Sequence, residues 1–86
     1  MSISTGHTTV GLTATLVDGT SNSDFRLTVH NADNTAKVFI GGPSVTINNG
    51  LGIEKLTTMQ IDMYASQEIY AVSGKADHII HWMKQV

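Results

Sequence analysis

The chain has 86 residues, the length of one small domain, and carries a formal charge of −2 from five basic and seven acidic residues. Five dispersed cations are too few for the many phosphate contacts behind DNA affinity, so we expect no nucleic-acid partner. The chain has no cysteine, which excludes disulfides and thiolate metal sites. It also lacks a signal-peptide pattern and any run near the ~18 apolar residues of a membrane span, so we expect no membrane partner.

The sequence pattern divides the chain into a short N-terminal arm and one domain. Residues 1–8 are polar and are interrupted by Gly6, so we expect an arm that is either flexible or docked as an edge strand on a partner. Residues 9–86 are expected to form a single β domain. Its first strand is predicted from Val10 to Leu16, because apolar residues alternate there with Thr and Gly.

The middle of the chain predicts three further strands. Alternation over 25–30 indicates the second, and 36–40 the third, whose unbroken apolar run predicts cover on both faces. We therefore expect Phe25 and Phe39 in the core. Residues 45–47 predict a short fourth strand, followed by a loop over 48–56.

The C-terminal third predicts strands over 58–63 and 68–72, and then an ambiguous segment over 76–84. Read as a helix, that segment would place His78 and His81 on one face, where they could bind a metal. Its short length and β-branched residues favour a strand, and an odd spacing then puts the two histidines on opposite faces. We expect no metal and no other cofactor.

Glycine and asparagine mark the turns on either side of the predicted fourth strand. Because these residue types tolerate positive φ, we expect φ > 0 at one or more of Gly41, Gly42 and Gly50. The Gly-Gly pair is not a phosphate loop, since no Lys-Ser/Thr follows it. The chain also has no Gly-x-Ser-x-Gly motif, so we do not expect an enzyme.

Taken together, short strands at 8–12-residue spacing predict an all-β fold. We expect a small antiparallel β-sandwich or barrel of about six to seven short strands.

Two motifs stand out in the second half of the chain. The first runs from Val38-Phe39-Ile40-Gly41-Gly42 through Val45-Thr46 to Asn49-Gly50, and the second is Ile69-Tyr70-Ala71-Val72-Ser73-Gly74. In their order and spacing these motifs resemble a family of small β-rich virion proteins of tailed bacteriophages. The resemblance covers roughly residues 25–83. It implies a structural protein of the virion, made in the host bacterial cytoplasm.

Within that class we favour a capsid decoration (cement) protein, which binds the major capsid protein and itself, as a trimer. A tail, collar or head-fibre component is the nearest alternative, and a carbohydrate- or receptor-binding β module is a third. Trp82 either plugs one end of the fold or anchors a partner. The expected contact residues are aromatic anchors and turn residues: Tyr70, Trp82, Gly41, Gly42, Pro43, Asn49, Gly50 and Ile53.

Overall fold

The computed structural model describes residues 3–17, 23–33 and 35–86, and in them the chain forms strands and turns only. The predicted turn over 18–22 lies outside the described residues. The eight strands are β1 Ile3–Val10, β2 Thr15–Leu16, β3 Phe25–Asn31, β4 Val38–Gly41, β5 Leu51–Ile53, β6 Thr58–Met63, β7 Tyr70–Ser73 and β8 His78–Gln85.

The strands form two four-stranded sheets. Sheet A has the order β1-β8-β3-β6 and sheet B the order β2-β7-β4-β5, and every neighbouring pair is antiparallel. The prediction of a small antiparallel β-sandwich or barrel is confirmed in its sandwich form, with eight strands instead of six or seven.

Alternation along the strands sends one set of side chains into the space between the sheets. On β3, Phe25, Leu27, Val29 and Asn31 are buried, while the residues between them are exposed or half-buried. The inter-sheet core is built from such inward residues: Val10, Val17, Phe25, Leu27, Val29, Val38, Ile40, Ile53, Met63, Ala71 and Ile80.

The predicted first strand is two strands in different sheets. β1 already begins at Ile3, so the described part of the expected arm is paired with β8 of the same chain. After Val10 the chain crosses to sheet B, where the Gly11 carbonyl accepts a hydrogen bond from Ser73 N at 2.8 Å. Alternation continues through this crossing, which is why the period alone did not reveal it.

The predicted strand at Val45–Ile47 is wrong, because Val45 and Thr46 lie outside any strand, Ile47 begins a turn, and β5 forms inside the predicted loop. Side-chain bonding explains the difference. Asn49 Oδ1 accepts a hydrogen bond from Thr46 N at 2.7 Å, and Gly50 N donates to the Thr46 carbonyl at 3.0 Å. These bonds satisfy the backbone locally, so it does not enter a sheet.

The strand reading of the C-terminal segment is confirmed. β8 is an inner strand of sheet A, between β1 and β3. His78 is buried and His81 is exposed, so the two histidines lie on opposite faces as the strand reading predicts.

Candidate functional site

The outer face of sheet B is apolar and aromatic. The strand register places Leu16 opposite Tyr70 and Phe39 opposite Val72, and these four side chains point away from the inter-sheet core. Leu16 is exposed, and Tyr70 and Phe39 are half-buried. The prediction that Phe39 lies in the core is therefore wrong, since its position in the alternation faces the opposite side from the buried Val38 and Ile40.

Residues 42–50, which we call the glycine loop, fold against this outer face. Val45 is buried at 6% exposure and approaches Gly41 so closely that a Cβ there would lie 2.9 Å from Val45 Cγ2. A Cβ at Gly50 would lie 2.7 Å from Cβ of Phe39. Val45 and Val72 are buried but do not belong to the inter-sheet core. The glycine loop and sheet B therefore form a second, smaller apolar cluster.

The prediction of positive φ at Gly41, Gly42 or Gly50 is wrong. The described residues with positive φ are Leu56, Ser66 and Asp77, and no described glycine has it. At positions 41 and 50 glycine is needed because a side chain would collide with the loop packing.

The structure brings together six of the eight expected contact residues. Tyr70 is at the start of β7 opposite Gly41, and the other four follow in the glycine loop: Gly42, Pro43, Asn49 and Gly50. A shallow depression is lined by residues 41–45 and Asn49. Together with Leu16 and Phe39, these residues form what we call the sheet B surface.

The other two expected contact residues lie elsewhere. Ile53 is 3% exposed and belongs to the inter-sheet core, so its side chain cannot reach a partner in this conformation. Trp82 is half-buried on sheet A and packs against that core. It covers Gly6, where a Cβ would lie 2.6 Å from Trp82 Cζ2. The Trp82 ring therefore packs against the core-facing side of β1. Its Nε1 has no hydrogen-bond partner among the described residues.

Sequence reasoning missed a group of exposed apolar residues near the glycine loop. Tyr64 follows β6 and is 70% exposed, and Leu51, which begins β5, is 60% exposed. The strand order and connections place five such residues at the end of the sandwich that holds the glycine loop: Ile3, Leu16, Ile47, Leu51 and Tyr64. Four of them lie at or directly after a strand end, whereas Ile47 lies in the glycine loop.

A buried polar network lies at the other end of the sandwich. His78 Nε2 is 2.7 Å from Asn31 Oδ1, and His78 Nδ1 is 2.7 Å from Ser73 Oγ. Asn31 Nδ2 also donates to the carbonyls of Ala36 and Ile53. Because an amide oxygen only accepts, Nε2–H donates to Asn31 and Nδ1 accepts from the Ser73 hydroxyl.

This network contains residue types that also occur in the catalytic sites of serine hydrolases, but its role here is structural. Ser73, His78 and Asn31 are each at most 1% exposed, so no substrate reaches the hydroxyl. Ser73 Oγ also accepts a hydrogen bond from Lys75 N at 3.2 Å. Burial lowers the pKa of His78, Asp33 nearby acts in the opposite direction, and Lys75 adds to the lowering. A neutral His78 therefore links β3, β7 and β8 across the two sheets.

The loop beside this network is stabilised by hydrogen bonds and an ion pair of Asp33. Its carboxylate pairs with Lys75 and accepts hydrogen bonds from Thr35 N at 2.6 Å and Thr35 Oγ1 at 2.7 Å. These bonds, with that from Lys75 the strongest, hold the pKa of Asp33 well below its usual value. The arrangement holds Asp33 and Thr35 next to Lys75 in the 74–77 segment.

The outer face of sheet A is mostly polar, although Ile3, Ile79 and Met83 also lie on it. It carries three histidines in one row. His7 on β1 pairs with His81 on β8, and His81 pairs with His30 on β3. Within residues 3–17, 23–33 and 35–86, no group of three or more His, Asp or Glu side chains is placed to hold a metal ion. The same residues contain no helix that could cross a membrane.

Comparison with family models, with curated proteins and with solved structures found no match to this chain.

Proposed function

We propose that this chain is a structural protein of a tailed-bacteriophage virion, and specifically a decoration protein that binds the outside of the assembled head. The observation that carries the proposal is the sheet B surface, where Leu16, Tyr70 and Phe39 lie beside the glycine loop. This surface is made from the same two motifs that resemble the phage family.

The composition of the sheet B surface suits binding to another protein. Tyrosine and other aromatic residues are enriched at the centres of protein interfaces, where they bury large area at low cost in side-chain entropy. The exposed Leu51 and Tyr64 at the same end of the sandwich extend the apolar area. The major capsid protein is the partner that we propose for it.

A second contact is available at the edge of sheet A. β1 is an edge strand of eight residues, and it contains neither proline nor a charged residue among Ile3–Val10. Natural proteins usually protect long edges with such residues, because an open edge pairs with other strands. We propose that this edge contributes to assembly by strand addition, within a trimer or toward the capsid protein.

The proposed role follows from binding linkage. A protein that binds the assembled shell more tightly than free coat subunits shifts the equilibrium toward the shell. Many copies act on one particle, so each contact can be modest while the shell as a whole gains stability. The virion is accordingly the proposed location of the protein.

The test removes the protein from heads of the phage that encodes it and adds back the purified chain. We expect stripped heads to lose heat resistance and to regain it on add-back of the wild-type protein. Heads that are equally stable in both states contradict the decoration role. If the protein is then found on tails, collars or fibres, the chain is one of those virion components instead.

A further inference from the structure

Two histidines that are far apart in sequence lie side by side on the outer face of sheet A. His7 and His81 are direct cross-strand partners, and their ring centroids are 6.1 Å apart with the planes tilted by 49°. Both residues are exposed. The face of an antiparallel sheet holds such directly opposite Cβ atoms about 4.5–5.5 Å apart, so the pair is fixed by the register of β1 on β8.

We propose that His7 and His81 form a two-histidine site for a divalent metal ion that prefers imidazole, such as Zn²⁺, Ni²⁺ or Cu²⁺. Imidazole nitrogens coordinate zinc at about 2.0–2.1 Å, and a tetrahedral angle then puts the two ring centroids about 5 Å apart. The observed separation of 6.1 Å is close to this value. Both side chains are exposed, so each ring is free to rotate and turn one nitrogen toward a shared ion, with water as the remaining ligands.

His30, although in the same row, does not belong to the site. Its Nδ1 lies 2.9 Å from Thr58 Oγ1, so the ring is held toward β6. His78 is buried and faces the opposite side of β8. The metal site is therefore a pair, in agreement with the absence of any three-residue group among the described residues. His30 provides a matched control, because it is a third imidazole of the same outer face.

The site has a structural consequence for β1. As an edge strand, β1 is hydrogen-bonded only to β8 within sheet A. A metal ion that bridges His7 and His81 adds a second link between these two strands. Because the ion binds the folded register and not the unfolded chain, it raises stability as metal concentration rises. This inference does not depend on the virion role.

The test uses the full chain without a histidine tag. Binding of Zn²⁺ and Ni²⁺ is measured by calorimetry at neutral pH, with the melting temperature recorded at each metal concentration. We expect one ion per chain and a melting temperature that rises with metal. His7→Gln and His81→Gln should each weaken binding about tenfold or more, whereas His30→Gln should bind within about twofold of wild type.

A further variant distinguishes the loss of a metal ligand from the loss of folded structure. His7→Cys places a thiolate ligand at the same position, so it should recover zinc binding that His7→Gln has lost. Circular dichroism of each variant checks the fold. The proposal is overturned if wild type shows no binding at about 1 mM metal. Equal binding by His7→Gln and wild type, or equal losses in His30→Gln and His7→Gln, also overturns it.

Discussion

The outer faces of the two sheets differ in composition, because that of sheet A is mostly polar and that of sheet B is mostly apolar. Sheet A has strands of six to eight residues, and its outer face carries the histidine row and the Arg26–Asp62 ion pair at 3.1 Å. Sheet B has strands of two to four residues, and its outer face is apolar and partly covered by the glycine loop. Because a large exposed apolar area is a common feature of interaction sites, the outer face of sheet B is the surface that we propose for binding a partner.

The network that joins the two sheets should give the largest change in stability. Asn31→Ala leaves His78 Nε2–H and the Ile53 carbonyl without their partner. Because each buried polar group left unpaired costs about 1–3 kcal/mol, we expect the free energy of unfolding to fall by about 3 kcal/mol. Urea denaturation measures it.

Asp62→Ala is the control on the outer face of sheet A. It removes only an exposed ion pair, so we expect a loss below about 1 kcal/mol. Equal losses for the two variants would show that the buried network does not join the sheets.

The next largest loss of stability should come from disturbing the packing of the glycine loop on sheet B. Gly50→Ala places a Cβ 2.7 Å from Phe39 Cβ and 2.8 Å from Val45 Cγ2, so the glycine loop must move. We expect a loss of about 1–3 kcal/mol from this overpacking. At Gly42 an added Cβ meets nothing within 4 Å, so Gly42→Ala should be close to neutral. Thermal unfolding of the two variants compares them, and similar melting temperatures would contradict the close packing of the loop.

A smaller effect should appear as a dependence of stability on pH. The folded-state pKa of His78 is lowered from its ordinary value of 6.5 by burial, so the unfolded chain takes up this proton first. Stability from a neutral His78 is therefore complete above pH 6.5 and is lost as pH falls toward the folded-state pKa. The slope due to this group is at most about 1.4 kcal/mol per pH unit.

Denaturation at several pH values checks this prediction. His30→Gln, which removes a half-buried imidazole on the outer face of sheet A, should keep the slope from His78. Asp33 acts in a different range, because its lowered pKa makes its contribution disappear only in strong acid, below its ordinary value of 3.8. Stability that stays constant from pH 7 down through the range below 6.5 would contradict a neutral, buried His78.

The period of the sequence was enough to predict the fold class, the strand at the C-terminus and the opposite faces of His78 and His81. It did not show that the chain leaves sheet A at Gly11, because the apolar alternation continues on both sides of the crossing. It also placed a strand at Val45, where the Asn49 side chain instead satisfies the backbone of a turn. Local pattern cannot anticipate a side chain that competes with a sheet for backbone hydrogen bonds.

Most of the candidate contact surface was visible in the sequence, since its turn residues and Tyr70 belong to two recognisable motifs. What sequence could not show was which sheet face they occupy, and Phe39 was accordingly placed in the core. The pairing of His7 with His81 was also hidden, because the two residues are 74 positions apart in the sequence and meet only through the register of β1 on β8. Such pairs follow from topology, which local periodicity does not specify.

The most direct test of the account measures how tightly the chain binds stripped heads when each outer face is changed in turn. Tyr70→Asp puts a charge on the sheet B surface, and Gln60→Asp puts the same charge at an exposed position on sheet A. Co-sedimentation gives the affinity, and circular dichroism confirms that both variants fold. We predict a loss of about tenfold or more for Tyr70→Asp and less than about twofold for Gln60→Asp. Equal affinities, or a greater loss for Gln60→Asp, would contradict the assignment of the binding surface to sheet B.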